Sequence, residues 1–148
     1  VESWRAELVR ERAEGRARYV VAALRIVAGL AFVLTSIGKF TDRAGYTALF
    51  ESFGLPGSSA LVLLVGLVEL VGGVLLVLGL GTRLAALALA GNMVGAIATA
   101  GVAVGGPIHL GLAPTLLVIM LVLLWAGPGA GSLDARLLVV RPGRTLGA

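Results

Sequence analysis

Four stretches of the chain are apolar almost without interruption: 20–38, 60–80, 84–104 and 108–125. A helix rising about 1.5 Å per residue needs roughly 20 apolar residues to cross the hydrocarbon of a bilayer, and each stretch has about that length. None shows the polar–apolar alternation of a membrane barrel strand. The pattern predicts an all-α, polytopic membrane protein, an antiparallel four-transmembrane-helix bundle. The glycines and alanines inside the runs suit spanning helices, where small residues let neighbouring backbones approach. Two repeats in the third run, "GNMVG" and "GVAVG", are of the small-xxx-small kind that permits close packing.

The connections differ in length. "GLGTR" and "GGPI" are tight, so the helices they join are expected to be antiparallel neighbours. The first connection is longer, and in it Tyr46, Leu49, Phe50 and Phe53 fall at i, i+3, i+4 and i+7, one face of a short helix over 44–53 ended by Gly54 and Pro56. That stripe suits either a helix resting on the membrane interface or one capping the bundle. Residues 1–19 mix glutamates with arginines at helical spacing, as in Glu7 with Arg10 and Glu14 with Arg18, and predict a charged juxtamembrane helix. In the tail, 127–148, "GPGAGSLDARLLVV" ends the last span and restarts with Ser132 as N-cap of a short interfacial helix. A basic segment before an apolar run has the general form of a signal peptide, but "LTSIGKF" offers no small-residue cleavage site and three more spans follow, so the first run is expected to be retained.

Composition supports the membrane reading. With 58% hydrophobic and 14% charged residues, 148 residues hold more apolar surface than one small soluble core could bury. Charge adds an orientation: Arg5, Arg10, Arg12, Arg16, Arg18, Arg83, Arg136, Arg141 and Arg144 lie on one side, and only Lys39 and Arg43 on the other. The positive-inside rule predicts cytoplasmic termini. The pI near 10.7 follows from this asymmetry, and no aromatic-interleaved basic patch points to nucleic acid. The chain has no cysteine and one histidine, so thiol chemistry and a histidine-rich metal or haem site are excluded within it.

The polar residues within the spans are the candidate chemistry. An ionised group in hydrocarbon costs at least about 2.5–3.5 kcal/mol, so Glu69 needs a partner or a proton. Counting from the span ends sets Asn92 level with Glu69 and Arg25 about 7 Å nearer the cytoplasm. This predicts an Arg25–Glu69 pair with Asn92 donating to the carboxylate. Such a cluster serves either ligand or proton handling, or helix assembly alone; Arg25 also has the option of snorkelling to the interface. A second polar set, Thr35, Ser36, Lys39 and His109, belongs to the outer half. Lys39 reads as an interface anchor, and His109 as an interfacial hydrogen-bonding group whose titration range also suits proton exchange.

In order and spacing, "LRIVAGLAFVLTSIGKF", "VELVGGVLLVLGLGTRLAAL" and "GPGAGSLD" together resemble the DoxX family of small four-helix bacterial inner-membrane proteins, over about Leu24 to Leu137. The resemblance implies a subunit of quinone-linked or stress-related redox complexes, and marks Arg25, Glu69 and Arg83 as important; Thr82 stands beside Arg83 in the matched cytoplasmic turn. The expected function is an integral subunit that anchors or assists an oxidoreductase and holds a quinone or other apolar molecule at the Arg25–Glu69–Asn92 cluster, in contact with lipids and with other subunits or copies of itself. Catalysis by the chain alone is not expected, because metal ligands and a dinucleotide fingerprint are both missing. The rival expectations are a proton-coupled carrier acting as a homo-oligomer and a ligand-free assembly scaffold.

Overall fold

The computed structural model describes residues 10–139, with side chains as far as Arg136. Helices account for every regular element among them: α1 (Ala17–Thr41), α2 (Arg43–Ser52), α3 (Ser59–Leu78), α4 (Thr82–Ala96), α5 (Ala113–Ala126) and α6 (Leu133–Val139). Four helical segments are long and apolar enough to span a membrane: Ala17–Thr41, Ser59–Leu78, Thr82–Gly101 and Ile108–Ala126.

Local chemistry explains the element ends. α1 stops at Asp42, whose carboxylate then accepts from Gly45 N at 3.0 Å and starts α2, so one residue makes the corner. Ser58 caps α3 by accepting from Leu61 N. Gly79 and Gly81 adopt left-handed φ of 66° and 57°, which turns α3 into α4 without a longer loop.

The third and fourth spans each contain a π-helical turn, at Ile97–Gly101 and Ile108–Leu112. The second of these precedes Pro114, which has no N–H to donate and crowds the carbonyl four residues back; a wider turn relieves that. In the first, Thr99 Oγ1 donates to Gly95 O at 2.8 Å and competes with the backbone ladder.

The tightest helix contact joins α1 to α3. A Cβ on Gly29 would stand 2.7 Å from Gly73 O, and a Cβ on Gly73 2.7 Å from Gly29 O, so the two backbones touch where both side chains are missing. Around this contact Ala28, Phe32, Leu76, Leu89, Met120 and Leu123 form the core. The small-xxx-small glycines expected to mediate packing divide: Gly91 and Gly95 have nothing near them and face outward, whereas Gly101 is buried against Leu110. Leu34, Leu64 and Val118, each more than half exposed, belong to the apolar outer surface that lipid would cover.

At one end of the bundle α2 lies across the helices as a cap, with Phe50 and Phe53 buried against Val62 and Ala100. At the opposite, arginine-rich end, the two ends of the described chain meet. Arg12 N donates to Ala126 O and Ala130 N to Arg18 O. This pairing bears on the charged helix expected over 1–19. Residues 10–14 form no helix, and the chain enters α1 through Gly15 at φ 55°; residues 1–9 lie outside the described part.

Candidate functional site

Glu69 sits in the middle of α3, 5% exposed, and each of its oxygens has a partner. Lys39 Nζ lies 2.6 Å from Oε2, and Asn92 Nδ2 donates to Oε1 at 3.0 Å. Asn92 takes the position predicted for it. The cation is not Arg25 but Lys39, the residue read as an interface anchor, which is only 7% exposed.

Two glycines let Lys39 turn inward. Gly66, one turn before Glu69, presents no Cβ, so the Lys39 stem and the Phe40 ring lie directly on α3. Gly38 likewise leaves room for Tyr46 of α2, whose ring centroid is 5.3 Å from Lys39 Nζ, close enough for a cation–π contact. Lys39 Nζ also donates to Thr35 O at 3.3 Å. The buried ammonium thus meets a carboxylate, a carbonyl and an aromatic face, which together offset its desolvation.

Helix register accounts for the missed partner. Gly29 against Gly73 sets how α1 slides along α3, and Arg25, one turn earlier, falls beside Gly79. That is ten residues along α3 from Glu69, or about 15 Å. The predicted 7 Å offset assumed spans that begin level, whereas Arg25, eight residues on from Ala17, lies beside the C-cap of α3, so α1 runs on past that end.

Arg25 does not snorkel either: it is 2% exposed. Its guanidinium fills the space a Cβ on Gly79 would need, so Gly79 is demanded by space as well as by φ. Burial works against that charge, and the Asp134 carboxylate of α6 offsets part of the cost. The same carboxylate accepts from Gly81 N at 2.8 Å and Thr82 N at 3.0 Å, capping α4 from a distant part of the chain, while Asp134 N donates to Gly79 O. Thr82 is fully buried beneath this clasp. Arg83 Nη2 donates to Arg10 O at 2.9 Å and to Trp125 O at 3.3 Å, tying the entering and closing segments together. Ser132 takes its expected capping place, accepting from Ala135 N.

The outer polar set does not form one site. Thr35 and Ser36 hydroxyls bond carbonyls of their own helix, Phe32 O and Val33 O. His109 Nδ1 lies 3.1 Å from Gly105 O, with its ring edge-on to Phe53 at 5.1 Å between centroids. Sequence reasoning misread Lys39 as an interface anchor and gave Asp134 no role; the signal available for both was a charge near a helix end beside a glycine-rich turn or face that could admit it.

Comparison with known proteins finds one family and two relatives. The DoxX family model matches residues 20–102, which include Arg25, Lys39, Glu69 and Asn92. The chain is 38% identical over 132 residues to "Uncharacterized membrane protein Rv3486" of Mycobacterium tuberculosis, covering 79% of this chain and 80% of that protein. It is 38% identical over 76 residues to "Putative oxidoreductase CatD" of Bacillus subtilis, covering 51% of this chain and 55% of that protein. No solved structure matches.

Proposed function

The chain belongs to the DoxX family, and from that premise we propose that it is a non-catalytic subunit that anchors or assists a membrane-associated oxidoreductase, with its arginine-rich end in the cytoplasm of a bacterial inner membrane. The name of the Bacillus subtilis relative supports the redox association, and the arginine asymmetry supports the orientation.

Within this reading, the Lys39–Glu69–Asn92 cluster holds a quinone or a similar apolar carbonyl compound. The observation that carries it is the donor capacity left over. An ammonium has three N–H groups, and Lys39 uses two, on Glu69 and Thr35 O. The Asn92 amide has two, and one is on Glu69. One Asn92 donor remains for a carbonyl oxygen, with the Lys39 ammonium and its Glu69 counter-charge beside it. Asn92 is half-exposed, so the cluster reaches the bundle surface at that residue, where a molecule dissolved in the bilayer would approach. A bound quinone would supply two-electron chemistry to a partner enzyme; this chain's share is to bind and orient it.

Glu69 already has both oxygens paired, and that favours a second reading, a ligand-free assembly scaffold in which the cluster pins α1, α3 and α4 together. Native mass spectrometry with quinone extraction separates the two. Protein purified gently from its own membrane is expected to carry about one quinone, lost in Asn92→Leu while the fold is retained. Quinone-free protein that still co-purifies with its partner enzyme would leave the scaffold reading.

A further inference from the structure

A second polar feature lies at the other end of the molecule, away from the Glu69 cluster. Arg18, Gly131, Ser132, Ala135 and Arg136 line an open cleft of about 390 Å³. Arg18 belongs to the first turn of α1 and Arg136 to α6, so the tail folding back against the first span creates the cleft. Its depth in the membrane is marked by neighbours. Tyr19, next to Arg18, and Trp125, near the end of the last span, are 65% and 64% exposed, and exposed aromatics at span ends sit at the headgroup level.

The charge balance in the cleft favours an anion. Among the described residues, two guanidiniums line it and no carboxylate does. Asp134, the nearest acidic residue on α6, has both oxygens taken by Gly81 N and Thr82 N. Glu11 approaches Arg18 at 3.9 Å through Nε, and the guanidinium carbon lies 5.5 Å from the Tyr19 ring centroid, which leaves the end-on Nη1–Nη2 pair for a further acceptor. Arginine's planar fork matches phosphate oxygens.

We propose that this cleft binds the phosphate of an anionic membrane lipid, of the phosphatidylglycerol class, drawn from the headgroup layer. The volume exceeds what a phosphate group fills and leaves room for a glycerol headgroup. A phosphate bridging Arg18 and Arg136 fastens the tail to the start of the first span, beside the existing Ala130 N to Arg18 O bond. Bound lipid therefore stabilises the clasp that buries Arg25.

The test is native mass spectrometry of the delipidated full chain, titrated with phosphatidylglycerol, with phosphatidylcholine and with inorganic phosphate, comparing wild type, Arg136→Gln and Arg18→Gln/Arg136→Gln. Wild type is expected to bind one phosphatidylglycerol in preference to phosphatidylcholine, with affinity falling about 5-fold per arginine removed. Saturable, arginine-dependent binding of inorganic phosphate without preference between the lipids supports the phosphate site but assigns it a soluble source. Equal phosphatidylglycerol binding by all three proteins, with no arginine-dependent phosphate binding, overturns the proposal. Arg136 is exposed, so the single variant keeps the test decisive if the double variant fails to fold.

Discussion

Replacing Lys39 by methionine keeps the length of the side chain and removes its charge, so Glu69 is left buried with only Asn92. At the observed 2.6 Å separation, attraction between unit charges at an effective dielectric of about 20 is about 6 kcal/mol. Not all of that is lost, because an orphaned carboxylate can take up a proton instead. For a carboxyl of ordinary acidity at pH 7 this costs about 4 kcal/mol, which sets a ceiling. Lys39→Met is therefore expected to destabilise the bundle by about 2–4 kcal/mol. Glu69→Gln is expected to cost less, about 1–2 kcal/mol, since Lys39 lies in the last turns of α1 and its long stem can carry the charge toward the interface. The double variant leaves no isolated charge and should be no worse than Glu69→Gln alone, a coupling of at least about 2 kcal/mol. Reversible unfolding in mixed micelles, followed by far-ultraviolet circular dichroism, measures all three. Arg25→Met combined with Glu69→Gln is the control, and those effects should add because the sites are far apart. Additive losses for Lys39 and Glu69, with coupling below about 0.5 kcal/mol, would refute the ion pair as an energetic unit.

Other perturbations test other parts of the bundle. Asp134→Ala removes both acceptors that cap α4 at Gly81 and Thr82, a loss of about 0.5–2 kcal/mol from capping; its unfolding midpoint should fall further than that, because Arg25 also loses its nearby carboxylate. Gly73→Ala drives a methyl group toward Gly29 O and should cost about 1–3 kcal/mol. Gly91→Ala, in open space on the outer face, should stay within about 0.5 kcal/mol in the same melt. Phe53→Ala removes a buried ring from the α2 cap, so amide hydrogen exchange over 43–52 should quicken while the core of α3 keeps its protection.

The Glu69 cluster and the Asp134 clasp divide the labour of holding the helices. The first joins α1, α3 and α4 in the half of the bundle covered by α2, and the second closes the arginine-rich end around Arg25. The two differ in how the charge is met: Glu69 has a donor on each oxygen and an opposite charge, the condition under which a buried ionic group is tolerated, whereas Arg25 Nε and Nη1 are buried with no hydrogen-bond partner among the described residues.

Span number, the all-helical class and the Ser132 cap were legible in the chain because they are local. An apolar run of span length is a helix in lipid whatever its neighbours do, and Ser132 bonds a backbone N–H three residues away. The same was true of the stripe through Phe50 and Phe53, whose period marked a helix although not what it would rest on. Which charges meet was not legible. The sequence held Glu69 and several cations in or beside the spans, Arg25 and Lys39 among them, and pairing depends on axial register and rotation between helices. Those were decided by the Gly29–Gly73 contact, by the room Gly38 and Gly66 leave, and by the return of the tail that lays Asp134 over the α3–α4 turn. Local patterns follow from a residue and its near neighbours, whereas register comes from many weak packing contacts summed along two helices, and only the assembled bundle contains that sum.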